Sequence, residues 1–496
     1  MTLLDSAAPL RHANRFYLDG RWETPSSDSG VDVIDATTEL PYLRVAAARP
    51  ADMARAIAAA RRAFDEGPWP RLTHEQRAEY LRAMAGGLRA RSADFADIWP
   101  RESGILHELA SYVGEAAARR FEFYANLAST FAFEEPATPT AGGDYGLLVR
   151  EPVGVVAAII PWNAPLPLIA AKVAPALLAG CTVVLKPAPE APGEAYVVAE
   201  IAEAIGLPPG VLNVLTAQRE ASEALVRDPR VDKVTFTGST TVGRRIAALC
   251  GERIARVTLE LGGKSAAVVL DDCDLEATAR AITEQGRFLS GQVCSSLTRV
   301  VVTRRHHDEL VAALAANLSA IQVGDPFRPE TQMGPLALGR QRDAVERYVA
   351  IGLDEGATLV TGGGRPEHLD HGWYVEPTLF AGVGNRSTIA QAEIFGPVLS
   401  VVPVADEDEA IAAANDSIYG LNASVFTGDV DRAQRVARRL RSGTVGHNAW
   451  RSDYGVAFGG FKQSGIGREG GKEGLLPYLE TKFVILDGAP SGSHFA

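Results

Sequence analysis

Cys294 stands in Gly291-Gln292-Val293-Cys294-Ser295-Ser296, and two polar side chains at the ends of apolar runs could serve it. They are Glu260, in Leu259-Glu260-Leu261-Gly262-Gly263, and Asn163, in Pro161-Trp162-Asn163. A thiolate is the strongest common protein nucleophile near neutral pH. A carboxylate closing a buried strand is costly unless it has a partner or a task, such as moving a proton. An amide in such a place can donate to negative charge developing on a substrate oxygen. Taken alone, Cys294 would read as a packed structural thiol, the commoner fate of a free cysteine. Its companions shift the reading toward nucleophilic catalysis.

Other attractive patterns lack the partners their chemistry needs. Gly262-Gly263-Lys264-Ser265 ends like a phosphate-binding P-loop, but Thr258 occupies the position six before the lysine where that loop has glycine. His107-Glu108 is followed by no histidine at the spacing that sets two imidazoles on one helix face, and His306-His307 has no partner cluster, so no metal is assigned. Cys181, Cys250, Cys273 and Cys294 form no CxxC pair, which suggests neither a disulfide framework nor a zinc cluster and fits a reducing cytoplasm. Thr237-Gly238-Ser239-Thr240-Thr241-Val242-Gly243 follows an apolar strand and opens a helix, where free N–H groups and the helix dipole favour a pyrophosphate. By itself it is a weak signal, since most strand–Gly–helix turns are only tight turns.

Positioning such groups takes a large α/β scaffold. At 496 residues, 46% apolar and 22% charged, the chain has the composition of a packed globular protein and the length of two or three structural units. A net charge of −12 argues against nucleic acid and anionic membrane surfaces as partners. The apolar stretch 153–185 is not read as a membrane span, because Pro161, Pro165, Pro167, Pro175, Asn163 and Lys172 interrupt it. The start of the chain lacks the basic end and apolar core of a secretory signal, so no export is expected. Amphipathic helices are expected over 51–64, 75–91 and 109–125. Short apolar runs at 153–160, 182–185, 211–215, 233–236 and 257–261 alternate with helices, the pattern of βαβ units in a parallel sheet. A second series, with runs at 266–270, 298–302, 358–360, 399–403 and 423–426, predicts a second domain of the same class. The segments 133–150 and 478–486 fit neither core and are read as strands of an edge sheet used between subunits.

Six motifs then occur in order: Pro-Trp-Asn, Phe-Thr-Gly-Ser, Glu-Leu-Gly-Gly-Lys, Gly-Gln-x-Cys, Glu-Ile-Phe-Gly-Pro and Phe-Gly-Gly-Phe-Lys-x-Ser-Gly-x-Gly-Arg-Glu. In these, from about Phe16 to Leu486 and with Glu260 and Cys294 34 positions apart, the chain resembles the aldehyde dehydrogenase superfamily. The resemblance implies two Rossmann-like α/β domains, cofactor-binding (1–132 and 151–262) and catalytic (263–445). It adds a small oligomerisation β-extension (133–150 and 478–490), with 446–477 returning to line the active site.

Carried over at matching positions, the resemblance makes Cys294 the nucleophile, Glu260 the general base and Asn163 a donor of the oxyanion hole beside the Cys294 backbone N–H. Lys172 and Glu469 assist proton transfer. The expected cofactor is NAD, with NADP as the alternative. Lys186 meets its adenosine ribose, Gly238, Ser239 and Gly243 its pyrophosphate, and Glu393 and Phe395 its nicotinamide ribose. Ile160, Trp162 and Leu261 border the same groove. Departures are Pro189 where NAD-preferring members often carry glutamate, with Glu190 one place later, Leu289 where asparagine is common, and Ala217 for a frequent glycine.

The implied reaction is oxidation of an aldehyde to a carboxylic acid through a cysteine thioester. Tyr124, Leu168, Phe288, Trp450, Arg451, Tyr454 and Phe458 are expected at the mouth of the substrate tunnel, and their aromatic character predicts a neutral apolar or aromatic aldehyde. A CoA-acylating or carboxylated-semialdehyde dehydrogenase and a catalytically silent structural relative are the rival readings; Glu260 argues against CoA acylation. The expected assembly is a homodimer or homotetramer.

Overall fold

A computed structural model describes residues 8–453 and 455–491. Its larger sheet has eight strands in the spatial order Gly465–Ile466, Arg256–Glu260, Lys233–Thr237, Val155–Ile159, Thr182–Lys186, Leu212–Val214, Phe16–Leu18 and Arg21–Glu23. The five central strands run parallel. Four of them, Val155–Ile159, Thr182–Lys186, Leu212–Val214 and Lys233–Thr237, are buried at every residue, as expected for strands covered by helices on both faces. The chain starts the parallel set at Val155–Ile159, builds outward through Thr182–Lys186 and Leu212–Val214, then returns to the other side at Lys233–Thr237. Strand order therefore reverses between Val155–Ile159 and Lys233–Thr237, and a crevice at the carboxyl ends of such strands is where open α/β sheets bind ligands. Pro161-Trp162-Asn163 and Thr237-Gly238-Ser239 follow those two ends.

The second sheet has seven strands, ordered Thr358–Thr361, Thr378–Ala381, Val398–Val404, Arg299–Thr303, Ala266–Val269, Asn422–Phe426 and Thr444–His447, parallel except for the first. Both sheets are clothed on each face by apolar clusters. Between the larger sheet and the helix pair His74–Ala90 and Val113–Thr130 lies the Pro165–Ala179 helix, which starts on a proline at its first position and stops at Gly180 in the left-handed region, φ 98°. Nearly all of it is buried, Lys172 included.

The third helix of the N-terminal region begins at Val113 rather than 109, after a separate turn at His107–Ala110. The short strands Gly30–Ile34 and Pro41–Ala46, which pair as a hairpin, and the Ser92–Ser103 helix were not foreseen. Leu479–Leu486 pairs antiparallel with Tyr145–Pro152 over eight residues, and Glu134–Pro136 adds a third strand. The outer strand of that small sheet exposes Phe483, Ile485 and Leu486. Among the described residues no helix is long and apolar enough to cross a membrane, and no cluster of His, Cys, Asp and Glu could hold a metal.

Candidate active site

The crevice at the reversal point opens into a cavity of about 610 Å³ lined by segments that flank both sheets. Asn163, Glu260 and Cys294 all border it. Asn163 arrives on the loop after Val155–Ile159, Glu260 as the last residue of its strand, and Cys294 on the loop joining the Leu275–Arg287 helix to the Arg299–Thr303 strand. Leu289 and Ser290 enter that loop at φ 49° and 52° and Gly291 at 73°. Left-handed backbone at two non-glycine residues is costly and persists only where packing enforces it. Here the Ser290 hydroxyl donates to the carbonyls of Gly334 and Pro335, 2.8 and 3.2 Å away.

The Asn163 Nδ2 donates one hydrogen to the Gln292 carbonyl at 2.9 Å, leaving its second hydrogen for a ligand. Burial pushes the Cys294 thiol up to about 12, helped by the nearby carboxyls of Glu393 and Glu260; the N–H groups of Cys294 and Ser295 pull the other way. Neither Glu260 oxygen has a hydrogen-bond partner. Burial, then the charge of Glu469, holds this carboxyl well above the ordinary carboxylate range, against the pull of Lys172 and Arg468. Lys172 and Glu469 form a buried, hydrogen-bonded ion pair.

The groove that would take a dinucleotide runs from Trp162 past Gly238, Ser239 and Leu261 to Glu393 and Phe395, all of which line the same cavity. Ser239 caps the Thr240–Glu252 helix, its hydroxyl accepting the Val242 N–H, so the helix presents its free first-turn N–H groups there. Glu393 lies against Gly262 so closely that a Cβ there would be 1.9 Å from its Oε2, and its Oε1 accepts the Gly263 N–H at 3.2 Å. Burial lifts this carboxyl to about 7, opposed by that N–H and by Lys264. An acceptor set to meet ribose hydroxyls and an anion-binding helix start are what a nicotinamide dinucleotide requires, and these residues fit it.

Four other cofactor candidates stand outside the cavity wall. Ile160 is buried and donates its N–H to the Lys186 carbonyl, and Gly243 leaves the room filled by Leu261. Lys186 closes the strand beside Ile159, its ammonium brought down to about 8 by burial against the charge of Glu190. Glu190 accepts from Arg340 at 2.6 Å and lines a separate small pocket with Pro189, Gln218 and Arg219.

Of the substrate candidates, Leu168, Phe288, Trp450 and Phe458 line the cavity, with Phe288 and Trp450 ring centres 6.0 Å apart. Tyr124 does not: it is fully buried in the helical core, its ring against Phe123 and its hydroxyl near Gly470 and Gly474. Arg451 is exposed and off the wall, and Tyr454 lies outside the described residues. Sequence reasoning missed Trp99, Gln341, Arg347 and Tyr348. Gln341, Arg347 and Tyr348 share the Gly339–Asp354 helix, where Gln341 Nε2 holds the carbonyls of Ile394 and Phe395 beside Glu393.

Comparison with known proteins agrees with this arrangement. The sequence model of the aldehyde dehydrogenase family matches residues 22–484. Geranial dehydrogenase of Castellaniella defragrans is 44% identical over 95% of this chain and 98% of its own length. A 3-succinoylsemialdehyde-pyridine dehydrogenase of a Pseudomonas species is 40% identical over 96% of this chain and 99% of its own. The crystal structure of a Mycobacterium tuberculosis aldehyde dehydrogenase complexed with NAD+ superposes with a TM-score of 0.93 at 43% identity, covering 97% of this chain and 98% of that one. With a thiol, an unpartnered carboxylic acid and an oriented amide converging beside a dinucleotide groove, and with matches of this length, the chain belongs to the aldehyde dehydrogenase family.

Proposed function

We propose that this aldehyde dehydrogenase oxidises neutral, apolar aldehydes of medium size, with Cys294 as nucleophile, Asn163 as oxyanion donor, Glu260 as general base and NAD as cofactor. One observation carries the substrate class: around Cys294 the wall is Trp99, Leu168, Phe288, Leu289, Val293, Trp450 and Phe458. Among the described lining residues the one cation, Arg347, sits on the Gly339–Asp354 helix with Gln341, toward the dinucleotide groove. Burying an alkyl or aryl group against such a wall yields roughly 25 cal/mol per Å², whereas a carboxylate there would find no cation. The 44% identity to a geranial dehydrogenase supports the same class.

Chemically, the Cys294 thiol gives up its proton to solvent in the cavity, the sulfur adds to the aldehyde carbon, and the aldehyde oxygen becomes an oxyanion beside the free Asn163 N–H and the Cys294 backbone N–H. Such donors act mainly on the charged intermediate and contribute about 3 kcal/mol each in comparable sites. As the oxyanion collapses to a thioester on Cys294, the carbon loses a hydride, for which bound NAD supplies the acceptor. Glu260 then takes the proton of the water that attacks the thioester, and the Cys294 sulfur leaves as the carboxylic acid is released. A carboxyl with a raised proton affinity is a stronger base for that step, at the cost of a smaller ionised fraction at neutral pH. The outer strand Leu479–Leu486, whose second half exposes Phe483, Ile485 and Leu486, supports homo-oligomerisation through the small sheet. A rate comparison among hexanal, benzaldehyde, succinic semialdehyde and betaine aldehyde at fixed NAD tests the substrate class. Hexanal or benzaldehyde should give the highest kcat/KM, and a win for either charged substrate overturns it.

A further inference from the structure

We propose that Ser103 is a positioning residue for oxyanion binding, closing a buried hydrogen-bonded circuit that sets the Asn163 amide against the Cys294 loop; this rests on the reading of Asn163 as oxyanion donor. The Ser103 hydroxyl donates to the Trp162 carbonyl at 2.6 Å. One residue on, Asn163 Nδ2 donates to the Gln292 carbonyl at 2.9 Å. Gln292 Nε2 returns to the Ser103 carbonyl at 3.3 Å. Ser103 thus bonds both strands of chain that form the oxyanion site, the loop carrying Asn163 and the turn two residues before Cys294. Ser103 and Gln292 are wholly buried and Asn163 is 9% exposed, so water competes little for the two bonds of Gln292, while the Ser103–Trp162 bond is part-buried.

Neighbouring contacts leave the circuit little freedom. Trp99, one turn earlier on the same helix, donates its Nε1 to the Asn163 carbonyl at 2.8 Å. The Gln292 amide also bonds the Leu289 carbonyl at 3.0 Å and accepts the Ala337 N–H at 2.9 Å, so it cannot rotate away without losing partners. Gly104 turns the chain out of the helix at φ 76°, where a Cβ would come within 2.1 Å of the Pro335 carbonyl oxygen. That same carbonyl takes the Ser290 hydroxyl. The end of the helix is therefore seated against the segment that enforces the left-handed turn before Cys294.

Ser103 touches no reacting atom, so its effect on the chemical step passes through the placement of Asn163, and an effect through Trp162 would show in the NAD Kd instead. Removing the hydroxyl leaves the Trp162 carbonyl without this donor and loosens the 161–164 loop, which Trp99 and Gln292 still hold at Asn163. A displacement near 1 Å costs up to about 100-fold in rate, and a partial loosening about tenfold. The test is the single-turnover rate of NADH formation with saturating hexanal and NAD in Ser103→Ala, Ser103→Thr, Asn163→Ala and the Ser103→Ala/Asn163→Ala double variant, with the NAD Kd measured alongside by fluorescence. Ser103→Ala should be about tenfold slower with the NAD Kd within about twofold of the parent, and Ser103→Thr, which keeps the hydroxyl, should restore most of the rate. The double variant should match Asn163→Ala within about twofold, since the serine acts only through the amide. A full rate in Ser103→Ala, or the same tenfold loss persisting on top of Asn163→Ala, overturns the proposal. A full rate in Asn163→Ala instead overturns the reading of Asn163 itself, and the positioning role with it.

Discussion

The Lys172 ammonium and the Glu469 carboxylate are hydrogen-bonded to each other with 0% and 2% of their side chains exposed, and both charges act on the proton of Glu260. Glu469 pushes the Glu260 carboxyl up and Lys172 pulls it down. Glu469→Gln removes the upward push and leaves the lysine charge facing Glu260. The acid limb of the kcat–pH profile should therefore move to lower pH in that variant, and a move to higher pH contradicts this assignment. Because the buried ammonium loses its partner, unfolding in urea should also show a loss of about 3–5 kcal/mol.

Cys294→Ala should abolish NADH formation while NAD still binds, since the thiol alone supplies the covalent step. Alanine at Cys181, Cys250 or Cys273 should retain most activity. Cys181 and Cys250 are buried in apolar clusters, Cys273 packs against another, and none of the three lines the cavity. A comparable loss at any of those three would move the nucleophile.

The Glu393 carboxyl sits at about 7 because it is buried with only one N–H and the charge of Lys264 to offset that burial. Its ionised form is the better acceptor for ribose hydroxyls, so NAD affinity should rise as pH increases from 6 to 8 and level off above. Calorimetric titration of the holo-forming step should show this rise in the parent and a flat profile in Glu393→Gln. A parent profile that falls with pH contradicts it.

The motifs that announced the site were those in which chemistry and backbone geometry are both local. Asn163, Glu260 and Ser239 each follow or end a buried parallel strand, so strand pattern and polar residue together locate them. Trp99 and Ser103 belong to a helix whose sequence encodes only core packing, and their partners Trp162, Asn163 and Gln292 lie 59, 64 and 189 positions away. No local signal marks such pairings. Tyr124 shows the converse: an aromatic on an amphipathic helix looks equally suited to a tunnel and a core, and here it packs in the core. The strands Phe16–Leu18 and Arg21–Glu23 are three residues each, too short for alternation to register.

Glu190 lies near enough to Lys186 to raise its proton affinity, and Arg340 holds it by an ion pair from the Gly339–Asp354 helix. A carboxylate four residues past the strand end at Lys186 would disfavour the extra phosphate of NADP if the adenosine ribose meets Lys186. NAD should give the higher kcat/KM, and Glu190→Gln should raise the NADP/NAD ratio of kcat/KM severalfold. An unchanged ratio would remove Glu190 from cofactor choice.

The covalent route through Cys294 is tested most directly by intact and peptide mass spectrometry of the Glu260→Gln variant quenched after mixing with NAD and hexanal. With acylation intact and deacylation slowed, NADH should appear in a burst near one equivalent per site, and the peptide containing Cys294 should carry one hexanoyl group. A burst with no acyl adduct, or with the adduct on another cysteine, would contradict the thioester on Cys294.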